Sequence, residues 1–159
     1  CSIIGIFFHT LQEVYIMYRH KIFIVPVLLI FVAALLTAGC QQETTAKDYY
    51  QKSFQFINAG NTQDAIDVLT FAIDKDPSFF EAYYNRGVLY YCQEKYQKAL
   101  DDLNKAVSLN RQNAGAFASR GTVYDKLSKP DLALADFKEA ARLGDKETQD
   151  YLKSKGIAW

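Results

Sequence analysis

The chain has 159 residues, enough for one ordinary domain, and half of them are apolar. Its 18 Lys and Arg balance its 18 Asp and Glu, which argues against a nucleic-acid partner, since such binders normally carry a basic patch. The sequence begins at Cys1, and its one methionine is Met17; residues 1–16 are expected to be an upstream extension outside the fold. From Met17 the order is Arg19, His20 and Lys21, then an uncharged apolar run over 22–38 interrupted by Pro26, then Leu36-Thr37-Ala38-Gly39-Cys40. A basic start, an apolar stretch and small residues at its end are the pattern of a secretory signal, placed over 17–39. The run also reaches the lower length limit for a membrane span, so an uncleaved amino-terminal helix stands beside it as the alternative.

The segment ending at Cys40 resembles the lipobox of bacterial lipoproteins, with Thr37 where Leu is usual. The resemblance implies a diacylglycerol on the Cys40 thiol, cleavage before that residue and acylation of the new amino terminus. Two or more acyl chains make such an anchor stable. Gln41 is compatible, by the same resemblance, with passage to the outer membrane of a cell that has two. Residues 40–45 are then anchor and linker. Gln41 to Thr45 extend over about 20 Å at most, so the rest of the chain is expected in the cell envelope, outside the cytoplasm and close to a membrane. Both histidines, His9 and His20, precede Cys40. Beyond Cys40 the only cysteine is Cys92, so no disulfide framework is available within the chain.

After the linker, residues 46–147 divide without gaps into three blocks of 34: 46–79, 80–113 and 114–147. Their columns agree. Tyr49, Tyr83 and Phe117 align, as do Phe56, Tyr90 and Tyr124. Ser53, Gly87 and Gly121 form a column of small residues. Alanine fills two more, at 65, 99 and 133 and at 72, 106 and 140, and Leu69, Leu103 and Phe137 another. Each block reads as two amphipathic helices, with Tyr83, Gly87, Tyr90 and Tyr91 on one and Tyr96, Ala99, Leu100, Leu103, Ala106 and Val107 on the next. Gly60-Asn61 separates the first two helices, and Asp76-Pro77 ends the block.

In period and residue type the blocks resemble the tetratricopeptide repeat. The resemblance implies an all-α fold: a right-handed superhelix of three helix–turn–helix repeats plus a C-terminal capping helix. Small residues let the paired helices approach closely, and stacking buries faces that one pair cannot bury alone. Residues 145–154 read as the cap, with Asp145 as N-cap and Tyr151 and Leu152 against the third block. The rest of 148–159 is a tail, Ile157-Ala158-Trp159, either folded onto the cap or exposed.

Arg86 and Arg120 share a column, as do Asp102 and Asp136; in the first block both columns change together, to Lys52 and Val68. These residues are expected to be structural ion pairs, either within a block (Arg86–Asp102, Arg120–Asp136) or across neighbours (Asp102–Arg120).

No histidine remains for a nucleophile–base pair, no Gly-rich phosphate loop occurs, and no Cys/His cluster suits zinc. No catalytic residue, cofactor, metal or small-molecule substrate is expected. Cys92 reads as a small, half-buried apolar residue, with a reactive thiol as the alternative. What remains is a surface. The resemblance implies that the first helix of each pair lines a concave face, which nominates Tyr50, Phe54 and Ile57 in the first block. It nominates Glu81, Tyr84, Val88, Tyr91 and Cys92 in the second, and Ala118, Thr122, Asp125 and Lys126 in the third. The first two sets are aromatic and apolar, the third polar; the alternative is that several pack against the neighbouring repeat. The Lys/Asn/Arg arrangement with which chaperone-binding members of the family clamp a terminal carboxylate is missing, so an extended or helical apolar peptide is the expected ligand. The expected role is a membrane-anchored protein–protein adaptor or scaffold, not an enzyme, for assembling an envelope complex. The alternatives are a structural self-associating module and a thiol redox protein using Cys92.

Overall fold

The computed structural model describes residues 43–159. The upstream extension, the signal-like run over 17–39 and Cys40 lie outside the described residues. Among the described residues there are seven helices and no strand: α1 (Ala46–Asn58), α2 (Thr62–Lys75), α3 (Phe80–Cys92), α4 (Tyr96–Leu109), α5 (Ala114–Lys126), α6 (Pro130–Arg142) and α7 (Lys146–Ser154). None is long and apolar enough to cross a membrane. Helices α1 and α2, α3 and α4, and α5 and α6 form three equivalent pairs, and each pair packs on the next, with α7 closing the stack on α6. This is the all-α tetratricopeptide superhelix with a C-terminal cap.

The first helix opens on Thr45. Its hydroxyl accepts the Asp48 N–H, and the Asp48 carboxylate accepts the Thr45 N–H at 2.8 Å, a reciprocal box that satisfies two otherwise orphaned donors. The backbone and hydroxyl hydrogen bonds from Thr45 hold the Asp48 carboxyl below the usual aspartate range. Pro130 opens α6, where its missing N–H costs no helical hydrogen bond; it stands in the column that carries Tyr96 in the second pair.

The turn inside each pair is built on one backbone device. Gly60, Glu94 and Ser128 occupy the same place in the period and all have positive φ, 76°, 58° and 56°. The next residue then reaches back over the helix end: Asn61, Lys95 and Lys129 each donate N–H to the carbonyl five residues earlier, at 2.9 Å. The turns between pairs differ. The α2 and α4 helices end on extended Asp76 and Asn110, whose side chains accept the N–H of Ser78 and Gln112. These are turns in which the side chain accepts the N–H two residues on, and they lead the chain into the next pair.

The core follows the alanine columns. Ala65, Ala72, Ala99, Ala106 and Ala140 are fully buried and Ala133 nearly so, with Leu69 and Leu103 completely enclosed between them. The small-residue column explains the close approach of paired helices. A methyl group on Gly87 would meet Leu103 Cγ at 2.9 Å, and one on Gly121 would meet the Phe137 ring at 2.8 Å and the Ala133 carbonyl oxygen at 3.2 Å. In the first pair Ser53 fills this column, fully buried, and its hydroxyl donates to the Tyr50 carbonyl at 2.7 Å.

The period breaks at the cap. The third pair ends on Gly144 in the left-handed region, and α7 begins at Lys146, two residues earlier than the 34-residue spacing from α5 would place it. Asp145 caps it by accepting the Thr148 N–H at 2.7 Å. Thr148 and Leu152 turn into the stack, and Gln149 donates to the Ala141 carbonyl. At the C-terminus the Ile157 N–H reaches the Leu152 carbonyl, which folds the chain back over the helix end; Ile157 is half-buried, while Trp159 stays exposed.

Candidate functional site

Two clusters of polar side chains are built by the repeat, and the first holds the stack together. Arg86 donates through Nε and Nη2 to both carboxylate oxygens of Asp102 at 2.8 Å, and through Nη1 to Thr70 Oγ1 at 2.9 Å. Arg120 repeats the pattern, to Asp136 at 2.7 and 2.8 Å and to Asn104 Oδ1 at 3.0 Å. Of the two pairings left open by the sequence, the structure has the one within a repeat. The link across repeats runs instead through the third guanidinium nitrogen to Thr70 and Asn104, which sequence reading did not single out.

Each guanidinium also lies beside two aromatic rings, Tyr83 and Tyr90 for Arg86, and Phe117 and Tyr124 for Arg120, with centroids 5.5 to 6.0 Å away. Burial works against the charge of Arg86, but the hydrogen bond and charge of Asp102 outweigh it and raise the pKa above the ordinary arginine value. For Arg120 the hydrogen bond to Asp136 is the larger effect, with the same result. Both guanidinium–carboxylate pairs are held by their neighbours within and across repeats, so the arrangement is a clasp. In the first repeat, where Val68 replaces the aspartate, Lys52 lies instead over the Phe56 ring at 5.9 Å.

The second cluster is a concavity of about 480 Å³ at the C-terminal end of the array. Helix α5 forms its floor with Ala118 and Thr122, and Tyr84 of α3 forms one wall. The other wall comes from Phe137 of α6 and Glu147 and Tyr151 of α7, with Asp125 also contributing. Tyr84 stacks on Phe80 with ring centroids 5.9 Å apart, and Tyr151 meets Phe137 edge-on at 5.6 Å, so both walls are braced by aromatic contacts.

Four of the residues nominated from the sequence, Tyr84, Ala118, Thr122 and Asp125, therefore line one concavity. The others do not line it. Tyr50 is half-buried between Phe54 and Phe79, and its hydroxyl accepts from Asn85 Nδ2 at 3.1 Å, a contact between the first and second repeats. Tyr91 packs on Tyr96 and on the buried cluster around Leu100 and Leu103. Phe54 is 41% exposed. Ile57 and Val88 are half-buried, and Glu81 and Lys126 are exposed.

Cys92, expected to be half-buried, is exposed. It ends α3, and the period puts it in one column with Asn58 and Lys126, both exposed polar residues. The cap residues Glu147 and Tyr151 were missed as lining because they follow the period break, where column alignment no longer applies.

Among the described residues no group of three or more His, Cys, Asp and Glu is placed to hold a metal ion.

Comparison with known proteins agrees with this fold. The tetratricopeptide repeat model matches residues 80–113. The second TPR of Spaghetti (RPAP3), solved bound to the HSP90 peptide SRMEEVD, is similar at 29% identity and a TM-score of 0.62, over 65% of this chain and 95% of that one. MamA is similar at 28% identity and a TM-score of 0.61, over 67% of this chain and 62% of that one. YrrB, described as a TPR protein with an unusual peptide-binding site, is similar at 28% identity and a TM-score of 0.62, over 70% and 58%. A search of curated protein sequences gives no significant match.

Proposed function

We propose that this tetratricopeptide-repeat array is a membrane-tethered docking platform, anchored through lipid on Cys40, that receives a segment of a partner protein and serves the assembly of a cell-envelope complex. The observation that carries the docking part is the open concavity on the face made by α3, α5 and α7, walled by Tyr84, Phe137 and Tyr151. Aromatic side chains held in place by other rings offer large contact area with little rotamer entropy left to lose. Relatives in this fold bind peptides: two TPR domains of RPAP3 are solved with the HSP90 peptide SRMEEVD. That peptide ends in acidic residues, whereas the concavity here presents Asp125 and Glu147, so a ligand of different charge is the better fit. The tether rests on the signal-like run and on the lipobox resemblance at Cys40.

A photo-crosslinking residue placed at Thr122, in the concavity, tests the platform in cells. We expect discrete adducts with an envelope protein in the membrane fraction, none from the same residue at exposed Lys105 on α4, and incorporation of labelled palmitate that Cys40→Ser abolishes. Equal adducts from both positions, or none from Thr122, would overturn the docking surface. A wild-type chain that takes up no palmitate, or a Cys40→Ser chain that takes up as much, would overturn the lipid anchor.

A further inference from the structure

The concave face is not uniform along its length. Phe54, 41% exposed, and half-buried Val88 share a column of the period with Thr122, which lines the concavity. At its C-terminal end the charged residues that line the concavity are Asp125, Asp145 and Glu147, with no Lys or Arg among the lining residues. Asp145 is committed, because its carboxylate caps α7 through the Thr148 N–H. Asp125 and Glu147 are not. Among the described residues neither side chain takes part in an ion pair or a side-chain hydrogen bond; the ion pairs there are Arg86–Asp102, Arg120–Asp136 and Arg142–Glu139. Of the nearby cations, Lys126 and Lys146 are exposed and do not line the concavity, and Lys155 lies over the Tyr151 ring, 6.0 Å from its centroid. Two free carboxylates thus share a concavity with the rings of Tyr84, Phe137 and Tyr151. The surroundings suit a side chain with an apolar stem and a cationic head: the stem lies on the rings and the head meets the carboxylates.

Resting on the docking reading above, we infer that the occupant is a peptide segment whose apolar residues lie along α1 and α3 and which delivers a lysine or arginine into the concavity between α5 and α7. Charge complementarity selects this occupant. A neutral side chain would leave both carboxylates uncompensated as water is expelled, and an acidic one would add repulsion. The same end of the groove therefore sets both the composition of the segment and its direction along the array.

The test is selection of random 12-residue peptides displayed on phage against the full chain in detergent micelles, followed by fluorescence polarisation with the labelled winners. The expected winners carry Lys or Arg at one end of an apolar stretch. Replacing that residue by norleucine, or the protein's residues by Asp125→Asn together with Glu147→Gln, should weaken binding about tenfold, the scale of one charge-assisted contact. The norleucine peptide should bind wild type and double variant alike. Both substituted positions are exposed, so the double variant should keep its helix content in circular dichroism. Winners without a basic preference, or basic winners that bind the double variant as well as wild type, would overturn this inference and leave the docking surface standing. Failure to select any peptide whose binding is lost on Ala118→Trp, a substitution that fills the concavity, would overturn both.

Discussion

The left-handed residue inside each pair offers a clean perturbation, because the three repeats solve the same backbone problem with different amino acids. Gly60, Glu94 and Ser128 have φ of 76°, 58° and 56°. A methyl group on Gly60 would meet nothing within 4 Å, so Gly60→Ala changes no packing and probes the backbone alone. An L-residue in this region costs about 1–2 kcal/mol, and the smaller entropy of the unfolded alanine chain returns about 0.4–1 kcal/mol. The net expectation for Gly60→Ala is a loss of about 0.5–1 kcal/mol, from these two opposing contributions. For Glu94→Gly the signs reverse. The Glu94 side chain makes no hydrogen bond or ion pair among the described residues, so the substitution should stabilise by about the same amount. For an array of this size such changes move the melting temperature by about 2–4 °C, down for the first variant and up for the second. Thermal unfolding of the full chain in micelles, followed by circular dichroism, reads both. A Gly60→Ala chain that melts with wild type, or a Glu94→Gly chain that melts below it, would refute the assignment of strain to this position.

Asp102→Ala leaves the Arg86 guanidinium, 15% exposed at its side chain, without its carboxylate. It should cost about 2–4 kcal/mol in urea unfolding, towards the range for breaking a buried pair; a change below ~0.5 kcal/mol would reduce the clasp to a surface pair. Gly121→Ala should destabilise despite alanine's better helix propensity of ~1 kcal/mol, because the added methyl meets the Phe137 ring at 2.8 Å and a backbone oxygen at 3.2 Å. A Gly121→Ala chain more stable than wild type in the same assay would show that α5 and α6 can slide apart at no cost.

The periodic part of the molecule was legible in the sequence because each column is a packing constraint applied three times. The alanine columns became the buried seam, the small column became the point of closest approach, and Arg86 and Arg120 met the aspartates that change with them. What the columns could not show was anything that depends on a side chain's depth or on a place used once. Tyr50 and Tyr91 have the composition of a binding surface, but their rings are spent in contacts between helices. Cys92 was read from its own chemistry, whereas its column mates Asn58 and Lys126 already pointed to solvent. The strain at Glu94 and Ser128 was likewise hidden in their identities, and only alignment with Gly60 carries a sign of it. The columns nominated Tyr84, Ala118, Thr122 and Asp125 of the concavity, but not Glu147 and Tyr151, which stand where the period fails.

That failure of the period has a consequence for stoichiometry. A stack of identical repeats offers the same recess again and again, and a ligand can register on it in several ways. Here α7 starts two residues early, and Glu147 and Tyr151 of this single cap complete the recess. On the proposed docking reading, a recess closed by the cap occurs once per chain, which gives the array a valency of one and a distinguishable end. A segment docking against it has a single address, and its polarity along the stack is set by where the repetition stops.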